Sequence, residues 1–187
     1  LHNIMNSVVI LDEVQLLPIN LLIPCLKAID VLREEFNVKV LFSTATWPSF
    51  EKLNLFDNIA EIVPEKEELY RTTRRTQLKF LGTRSYGELA NELRTRTNFL
   101  CVMNTRDKAK TLFLTLKQGG FDGKLFHLST RMCAEHRLQR IREIKRFLTA
   151  GENVGVISTQ LIEAGVDLDF KKAYRELAGL PSLIQTA

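Results

Sequence analysis

Cysteine and histidine are scarce in this sequence, and their spacing excludes the simplest metal and disulfide frameworks. The three cysteines, Cys25, Cys101 and Cys133, lie far apart and form no CxxC pair. A dispersed, odd-numbered set argues against a disulfide framework or a zinc site, and it favours a reducing, cytoplasmic location. The three histidines show no metal-ligand spacing either.

Long apolar runs are missing as well. No segment approaches the roughly 18 apolar residues that a membrane span needs, and no secretory signal opens the chain. We therefore expect no membrane contact. The 187 residues are 45% hydrophobic and 26% charged, which is ordinary for a packed globular chain of one domain or two small ones.

Acidic residues are unevenly distributed. Residues 1–68 carry 5 Lys/Arg and 11 Asp/Glu, a net charge of −6, whereas residues 69–187 carry 21 and 11, a net charge of +10. A basic half of this kind suits a polyanion, because each neutralised phosphate releases condensed counterions. A solvated basic surface would give the same count.

Strand-like and helix-like patterns alternate on both sides of a polar segment. In the first part we predict strands at 7–11 and 38–42 around a helix capped by Asn20. In the second part we predict strands at 77–81, 98–102, 124–127, 154–157 and 173–177 and helices at 86–94, 107–118 and 134–150. The alternation predicts an α/β fold with two parallel sheets. The domains are 1–68 and 77–187, joined by a linker at 69–76.

Polar clusters follow four of the predicted strands. Asp12-Glu13 follows the first strand and the run 43–46 the second, while Asn104-Thr105 and Ser158-Thr159-Gln160 follow strands of the second part. Ligands of open parallel sheets bind at the carboxyl ends of the strands. The sequence therefore predicts that these clusters line ligand sites.

Each cluster has a chemical interpretation and a simpler one. Asp12 can hold Mg²⁺ through its water shell and Glu13 can polarise an attacking water, as nucleoside triphosphate hydrolysis requires. The same pair can be a helix cap followed by a solvated glutamate. Ser158 and Thr159 suit contact with a sugar–phosphate chain. Asn104-Thr105 can bind phosphate at a helix N-terminus or act only as an N-cap.

Five segments together resemble a known family. LDEVQ (11–15), STAT (43–46), MNTRDKA (103–109), ISTQLIEAGVDLDF (157–170) and RELAGLPSLIQTA (175–187) resemble motifs II, III, IV, V and the start of VI of a superfamily 2 DExH-type helicase. The sequences of these motifs resemble those of the CRISPR-associated helicase of type I systems, which belongs to the helicase–nuclease family. The resemblance implies two RecA-like domains, the first incomplete. It also implies ATP and Mg²⁺ as cofactors, with single-stranded DNA and the type I CRISPR surveillance complex as partners.

The resemblance also implies roles for individual residues. Asp12 would bind Mg²⁺ through water, Glu13 would activate water and Gln15 would sense the γ-phosphate. The hydroxyl residues Ser43, Thr44 and Thr46 would couple nucleotide state to strand binding. The nucleotide would further contact Gly165, Asp167 and Gln185, and the nucleic acid would contact Asn104, Thr105, Ser158, Thr159 and Gln160.

Parts of the family pattern are missing from the sequence. The one Gly-Lys pair, Gly123-Lys124, precedes a predicted strand and is not followed by Ser or Thr, so it is no phosphate-binding loop. Motif VI stops before its arginines, and no nuclease ligands are found. We therefore expect an inactive fragment of a DNA translocase acting in CRISPR interference. A fragment of another DNA or RNA helicase, or a non-catalytic nucleic-acid-binding remnant that uses the basic helix at 135–146, remains open.

Overall fold

The structure is a computed structural model that describes residues 3–44, 56, 59–63, 65–74, 76–162 and 168–186. The chain divides into two compact units, Leu1–Arg75 and Thr76–Ala187. Both units combine helices with parallel sheets, so the predicted α/β class is confirmed. Among the described residues, none of the helices combines the length and apolarity needed to cross a bilayer.

The described part of the first unit is a strand–helix–strand motif. Strand β1 (Val8–Asp12) and strand β2 (Lys39–Ser43) pair in parallel, and helix α1 (Ile19–Glu35) connects them after a 3-10 turn at Val14–Leu16. The core contains the buried Val14 and Leu26, packed by Leu17, Leu22, Ile29, Phe42 and Phe56. The opposite face of β1 is open, because Val8 and Ile10 are 65% and 62% exposed.

The first unit departs from the sequence prediction at two places. Helix α1 begins at Ile19 with Pro18 at the N-cap, so Asn20 lies inside the first turn and does not cap the helix. Proline suits a helix start because its fixed φ and missing N–H are tolerated there. Part of the predicted linker is helical, since α2 spans Lys66–Thr73.

The second unit has a four-stranded parallel sheet with helices on both faces. Its strands are β3 (Asn98–Val102), β4 (Lys124–His127), β5 (Val154–Ser158) and β6 (Ala173–Arg175), in the spatial order β4-β5-β3-β6. Its helices are α3 (Tyr86–Arg94), α4 (Arg106–Gln118), α5 (Ala134–Thr149) and α6 (Leu180–Thr186). A second 3-10 turn, Gln160–Ile162, follows β5.

The pleat of β3 divides the core into two layers. Phe99 and Cys101 pack with α3 and α4 residues such as Leu93. Leu100 and Val102 point the other way, into a cluster that includes Ile144 of α5 and Ile162. Because β3 is covered on both faces, its residues 99–102 are a continuous apolar run rather than an alternating pattern.

The strand predicted at 77–81 is wrong. These residues carry no strand pairing, and Leu78 and Phe80 are 65% and 80% exposed. The alternation of apolar and polar residues is typical of a half-buried strand, but a strand forms only where a neighbour accepts its backbone hydrogen bonds. The strand predicted at 173–177 is shorter than expected, since β6 ends at Arg175.

Candidate functional site

In the first unit, the polar residues predicted to bind nucleotide lie at the carboxyl ends of the two strands. The parallel register places Asp12 of β1 beside Ser43 of β2. Glu13 follows in the left-handed conformation, with φ 52°. This conformation is costly for a residue with a β-carbon, by about 1–2 kcal/mol. It turns the chain at the end of β1, so that Val14 enters the core while Glu13 stays partly exposed.

A chain of side-chain hydrogen bonds connects the two strand ends. The Nε2 group of Gln15 donates to Oε2 of Glu13. The Oγ1 hydroxyl of Thr44 donates to Oε1 of the same Gln15 amide. Gln15 therefore uses both ends of its amide to join the acidic residue after β1 to the hydroxyl residue after β2. A shift of Thr44 would be transmitted to the Glu13 carboxylate through one side chain.

Asp12 presents one exposed carboxylate at the end of β1. The Oδ1 atom of this exposed residue accepts a hydrogen bond from the Glu13 backbone N–H at 3.1 Å. Within the part of the chain that the structure describes, no group of three or more His, Cys, Asp or Glu residues is placed to hold a metal. Mg²⁺ usually keeps several waters and one or two carboxylates, so an exposed carboxylate of this kind fits it.

In the second unit, the polar clusters after β3 and β5 are adjacent. The two strands pair in parallel with Val102 opposite Ser158, and the Met103 N–H donates to the Ser158 carbonyl at 2.9 Å. One residue further, Nε2 of Gln160 donates to the Asn104 carbonyl at 3.4 Å. The two clusters therefore form one continuous edge at the carboxyl ends of the central strands.

The residues of this edge differ in exposure. Thr105 and Gln160 are exposed and Asn104 is partly exposed, whereas Ser158 and Thr159 are buried, at 0% and 4%. The hydroxyl of Ser158 donates to the Thr159 carbonyl at 3.0 Å, so it is used within the loop. Thr105 caps α4, because its side chain accepts the Lys108 N–H at 3.3 Å.

Sequence reasoning missed four residues of the cluster around Asn104, namely Lys108, Arg175, Glu176 and Leu177. Oε2 of Glu176 accepts the Asn104 backbone N–H at 2.7 Å, and Oε1 of Glu176 accepts from Nζ of Lys108. Nη1 of Arg175 donates to Oδ1 of Asn104 at 2.6 Å. The amide of Asn104 donates in turn to the Leu177 carbonyl at 2.8 Å. Arg175 and Glu176 fell inside the strand predicted at 173–177, whereas in the structure β6 ends at Arg175 and Glu176 follows the strand end.

The electrostatics of this cluster follow from its hydrogen bonds. Burial opposes ionisation of Glu176, but the bonds from Lys108 and from the Asn104 N–H outweigh it and hold the pKa of the carboxyl below its ordinary value. The pKa of Lys108 is raised, first by its hydrogen bond to Glu176 and then by the charge of that carboxylate. Both groups are therefore charged at neutral pH.

The remaining predicted residues cannot be placed. Thr46, Gly165 and Asp167 lie outside the described residues. Gln185 belongs to α6, and its side chain is outside the described part.

Two α/β units with polar clusters at the carboxyl ends of parallel strands define the class as a parallel α/β protein with candidate ligand sites at its strand ends. Residues 95–187 match the family described as CRISPR-associated nuclease/helicase Cas3, C-terminal. Residues 95–187 are therefore similar to the C-terminal part of Cas3-like helicases. A curated relative, the CRISPR-associated nuclease/helicase Cas3 of Methanothermobacter thermautotrophicus, is 35% identical over 88 residues. This match covers 47% of the chain and 10% of the relative.

Solved structures share the fold at low identity. The crystal structure of T. fusca Cas3-ATP is 17% identical with a TM-score of 0.65, over 96% of this chain and 26% of that one. S. cerevisiae Dbp5 bound to RNA and ADP BeF3 is 14% identical with a TM-score of 0.55, over 96% of this chain and 49% of that one. The chain thus spans about a quarter of the T. fusca protein.

Proposed function

We propose that this chain is part of an ATP-driven motor that translocates on single-stranded DNA during CRISPR interference. The observation that carries the proposal is the continuous polar edge formed by the loops after β3 and β5, within the half that matches the Cas3-like family. Type I surveillance complexes, as recruiting partners, and a cytoplasmic location belong to the same proposal. The positive charge of residues 69–187 supports a polyanionic ligand.

The first unit contributes the hydrolytic residues in this proposal. Asp12 would hold Mg²⁺ through water, and the ion would supply charge neutralisation at the phosphates. Glu13 orients the attacking water and accepts its proton. Gln15 hydrogen-bonds the Glu13 carboxylate and fixes its position. Through its second hydrogen bond, to Thr44, it couples the position of that carboxylate to the end of β2. Ser43 and Thr46 are assigned to the same coupling role, and Gly165, Asp167 and Gln185 to nucleotide contact.

The second unit contributes the strand-binding edge. The exposed Thr105 and Gln160 are the side chains that can meet a phosphate backbone directly. The buried Ser158 and Thr159 fix the conformation of the loop after β5. The backbone of this loop can then contact the same nucleic-acid strand. Such contacts position a strand without reading its sequence, as a translocating motor requires.

We further propose that residues 1–187 alone do not hydrolyse ATP. Their one Gly-Lys pair ends at Lys124, the first residue of β4, whereas a phosphate-binding loop follows a strand. Gly123 has φ 153°, and a β-carbon there would lie 2.6 Å from the Asn153 carbonyl oxygen, so this glycine serves the entry into β4. Purified chain should show no DNA-stimulated ATPase. Activity lost on Glu13→Gln would overturn this part.

A basic helix supports a second candidate, a non-catalytic nucleic-acid-binding module. Helix α5 carries Arg137, Arg140, Arg142, Lys145 and Arg146. The side chain of Arg142 is 73% exposed and lies 4.0 Å from the carboxylate of Glu135. Exposed cations of this kind bind phosphates with strong salt dependence and without nucleotide.

One binding experiment separates these candidates. A fluorescein-labelled oligothymidylate of about 20 nucleotides is titrated with the full chain at several salt concentrations. We expect Gln160→Ala to weaken binding, whereas Thr105→Ser, which keeps the hydroxyl, and Arg142→Gln should leave it nearly unchanged. The reverse pattern would favour the basic-helix module. Equal binding of an oligouridylate would favour an RNA helicase, and absence of binding by the unmodified chain would refute the proposed function.

A further inference from the structure

We propose that Glu176 is a positioning residue that fixes the turn at Asn104-Thr105 for strand binding. The inference rests on the proposed function, because it assigns Glu176 to the same edge. Glu176 lies on the chain more than seventy residues after Asn104, yet its carboxylate contacts both sides of Thr105. Its role would be to hold the exposed Thr105 hydroxyl and the α4 N-terminus in one geometry.

The two carboxylate oxygens of Glu176 have separate partners. Oε2 takes the Asn104 backbone N–H at 2.7 Å, and Oε1 takes Nζ of Lys108. Asn104 precedes Thr105, and Lys108 is the residue whose N–H Thr105 caps. The carboxylate therefore bridges the beginning and the end of the first turn of α4. Charge-assisted bonds to an N–H are shorter and stronger than neutral ones, so one residue can order the turn.

Glu176 is itself held on a fixed support. Its N–H donates to the Val102 carbonyl at 2.9 Å, which continues the backbone pairing of β6 with β3. Two residues earlier, the hydroxyl of Tyr174 donates to Glu92 at 3.0 Å and accepts from Nε of Arg96 at 3.0 Å. These bonds fasten β6 to the α3 region. A carboxylate on such a support can restrain the Asn104 loop rather than follow it.

The Asn104 side chain strengthens the same restraint. Its amide oxygen accepts from Arg175 at 2.6 Å and its amide nitrogen donates to the Leu177 carbonyl at 2.8 Å. Its backbone carbonyl accepts from Gln160 at 3.4 Å. Asn104 therefore joins the ends of β3, β5 and β6. Within this inference, Asn104 supports the strand-binding edge through its backbone rather than by direct contact of its amide.

A positioning role and a purely electrostatic role of Glu176 predict opposite changes in the affinity for single-stranded DNA when the side chain is altered. A carboxylate near a phosphate track repels the polyanion, so removal of its charge alone should tighten binding, by about threefold at low salt. Loss of the bond to the Asn104 N–H should instead weaken binding, by about tenfold for one charge-assisted bond. The sign of the change therefore distinguishes a positioning residue from a bystander acid.

Two conservative variants separate the reach of Glu176 from its charge. Glu176→Gln keeps the side-chain length and an acceptor for the Asn104 N–H but removes the charge. Glu176→Asp keeps the charge but retracts the carboxylate by one methylene. Glu152→Gln, at an exposed acid outside the cluster, controls for the loss of charge alone. Each variant is made in the full chain and titrated into the labelled oligothymidylate, and its thermal unfolding is recorded.

We expect Glu176→Gln to bind within about threefold of the unmodified chain and Glu176→Asp to bind about tenfold more weakly. Wild-type affinity of Glu176→Asp would overturn the inference, as would a loss seen only in Glu176→Gln. If Glu176→Asp does not fold, Glu176→Ala decides, because it removes both hydrogen bonds of the carboxylate. Its affinity should fall, and an unchanged affinity would overturn the inference. The proposed function itself fails only if the unmodified chain does not bind.

Discussion

Replacement of Gly155 by alanine should destabilise the second unit, because β5 has no room for a side chain at this position. A β-carbon there would lie 2.6 Å from Cζ of Phe99, 2.9 Å from its Cε1 and 3.0 Å from Cδ1 of Leu125. Carbon atoms in contact are normally about 3.5–4.0 Å apart, so the ring would have to move by about 1 Å. Phe99 is fully buried and packs edge-on against Phe121 at 5.5 Å, which blocks its retreat.

The magnitude follows from two opposing terms. Overpacking of a core typically costs about 1–3 kcal/mol. Alanine recovers part of this, about 0.4–1 kcal/mol, by restricting the unfolded chain. We therefore expect a net loss of about 1–2 kcal/mol, which lowers the melting temperature of a unit of this size by about 5–15 °C.

Thermal unfolding of the full chain, followed by circular dichroism, measures this loss. Gly87→Ala is the matched control, because Gly87 lies in α3 with nothing within 4 Å of the added carbon. The control should be neutral or raise stability, by up to about 1 kcal/mol. An unchanged or higher melting temperature for Gly155→Ala would refute the packing of β5 against Phe99, and with it the placement of the loop that β5 leads into.

The remaining predictions concern ionisable groups. Burial raises the pKa of the Cys101 thiol to about 12. A thiol reagent should therefore modify the exposed Cys133 first in the native chain, and rapid labelling of Cys101 would contradict its buried position. The backbone N–H and the hydroxyl of Ser85 lower the pKa of Glu88 below its ordinary 4.5. Ser85→Ala should raise the pKa toward that value in an NMR titration, and an unchanged pKa would argue against the capping box. Because the pKa of Glu176 is also lowered from 4.5, its stabilising effect is complete above that pH and is lost as the pH falls through the lower native pKa. The difference in unfolding free energy between the unmodified chain and Glu176→Gln should be constant above about pH 5.5 and change only below about pH 4.5, whereas a change near neutral pH would contradict this assignment.

Elements with strong local signals were predicted closely. The helix at 86–94 has the bounds of α3, because Ser85 and Glu88 form a capping box at its start. The strand at 98–102 has the bounds of β3, because five consecutive residues without a charge suit a strand that is covered on both faces. In both cases the information that fixes the element lies within the element or next to it.

The strand predicted at 77–81 failed because its evidence was only local. Leu78 and Phe80 alternate with polar residues, but no neighbouring strand pairs with this segment among the described residues. Whether a segment pairs with a neighbouring strand depends on residues that are distant in the chain. The same limit explains why the bounds of β6 were missed: its last predicted residues, Glu176 and Leu177, lie beyond the strand, where the Glu176 side chain and the Leu177 carbonyl hydrogen-bond Asn104.

The sequence predicted where in the fold the candidate site lies, but it did not predict which side chains contact one another there. The rule that ligands bind at strand ends correctly anticipated that polar clusters would gather there, and β3 and β5 are neighbours. Which hydroxyls are exposed is set by packing, so the burial of Ser158 and Thr159 could not be deduced from spacing. The contact of Glu176 with Asn104 depends on the pairing of β6 with β3, which no local pattern encodes.

The strand-binding edge is tested most directly by hydrogen exchange of the full chain, measured by mass spectrometry with and without a single-stranded oligothymidylate. The account predicts that the oligonucleotide slows exchange in segments 103–108 and 158–162, where the loops after β3 and β5 meet. Protection confined to α5, or no protection anywhere in the second unit, would contradict it.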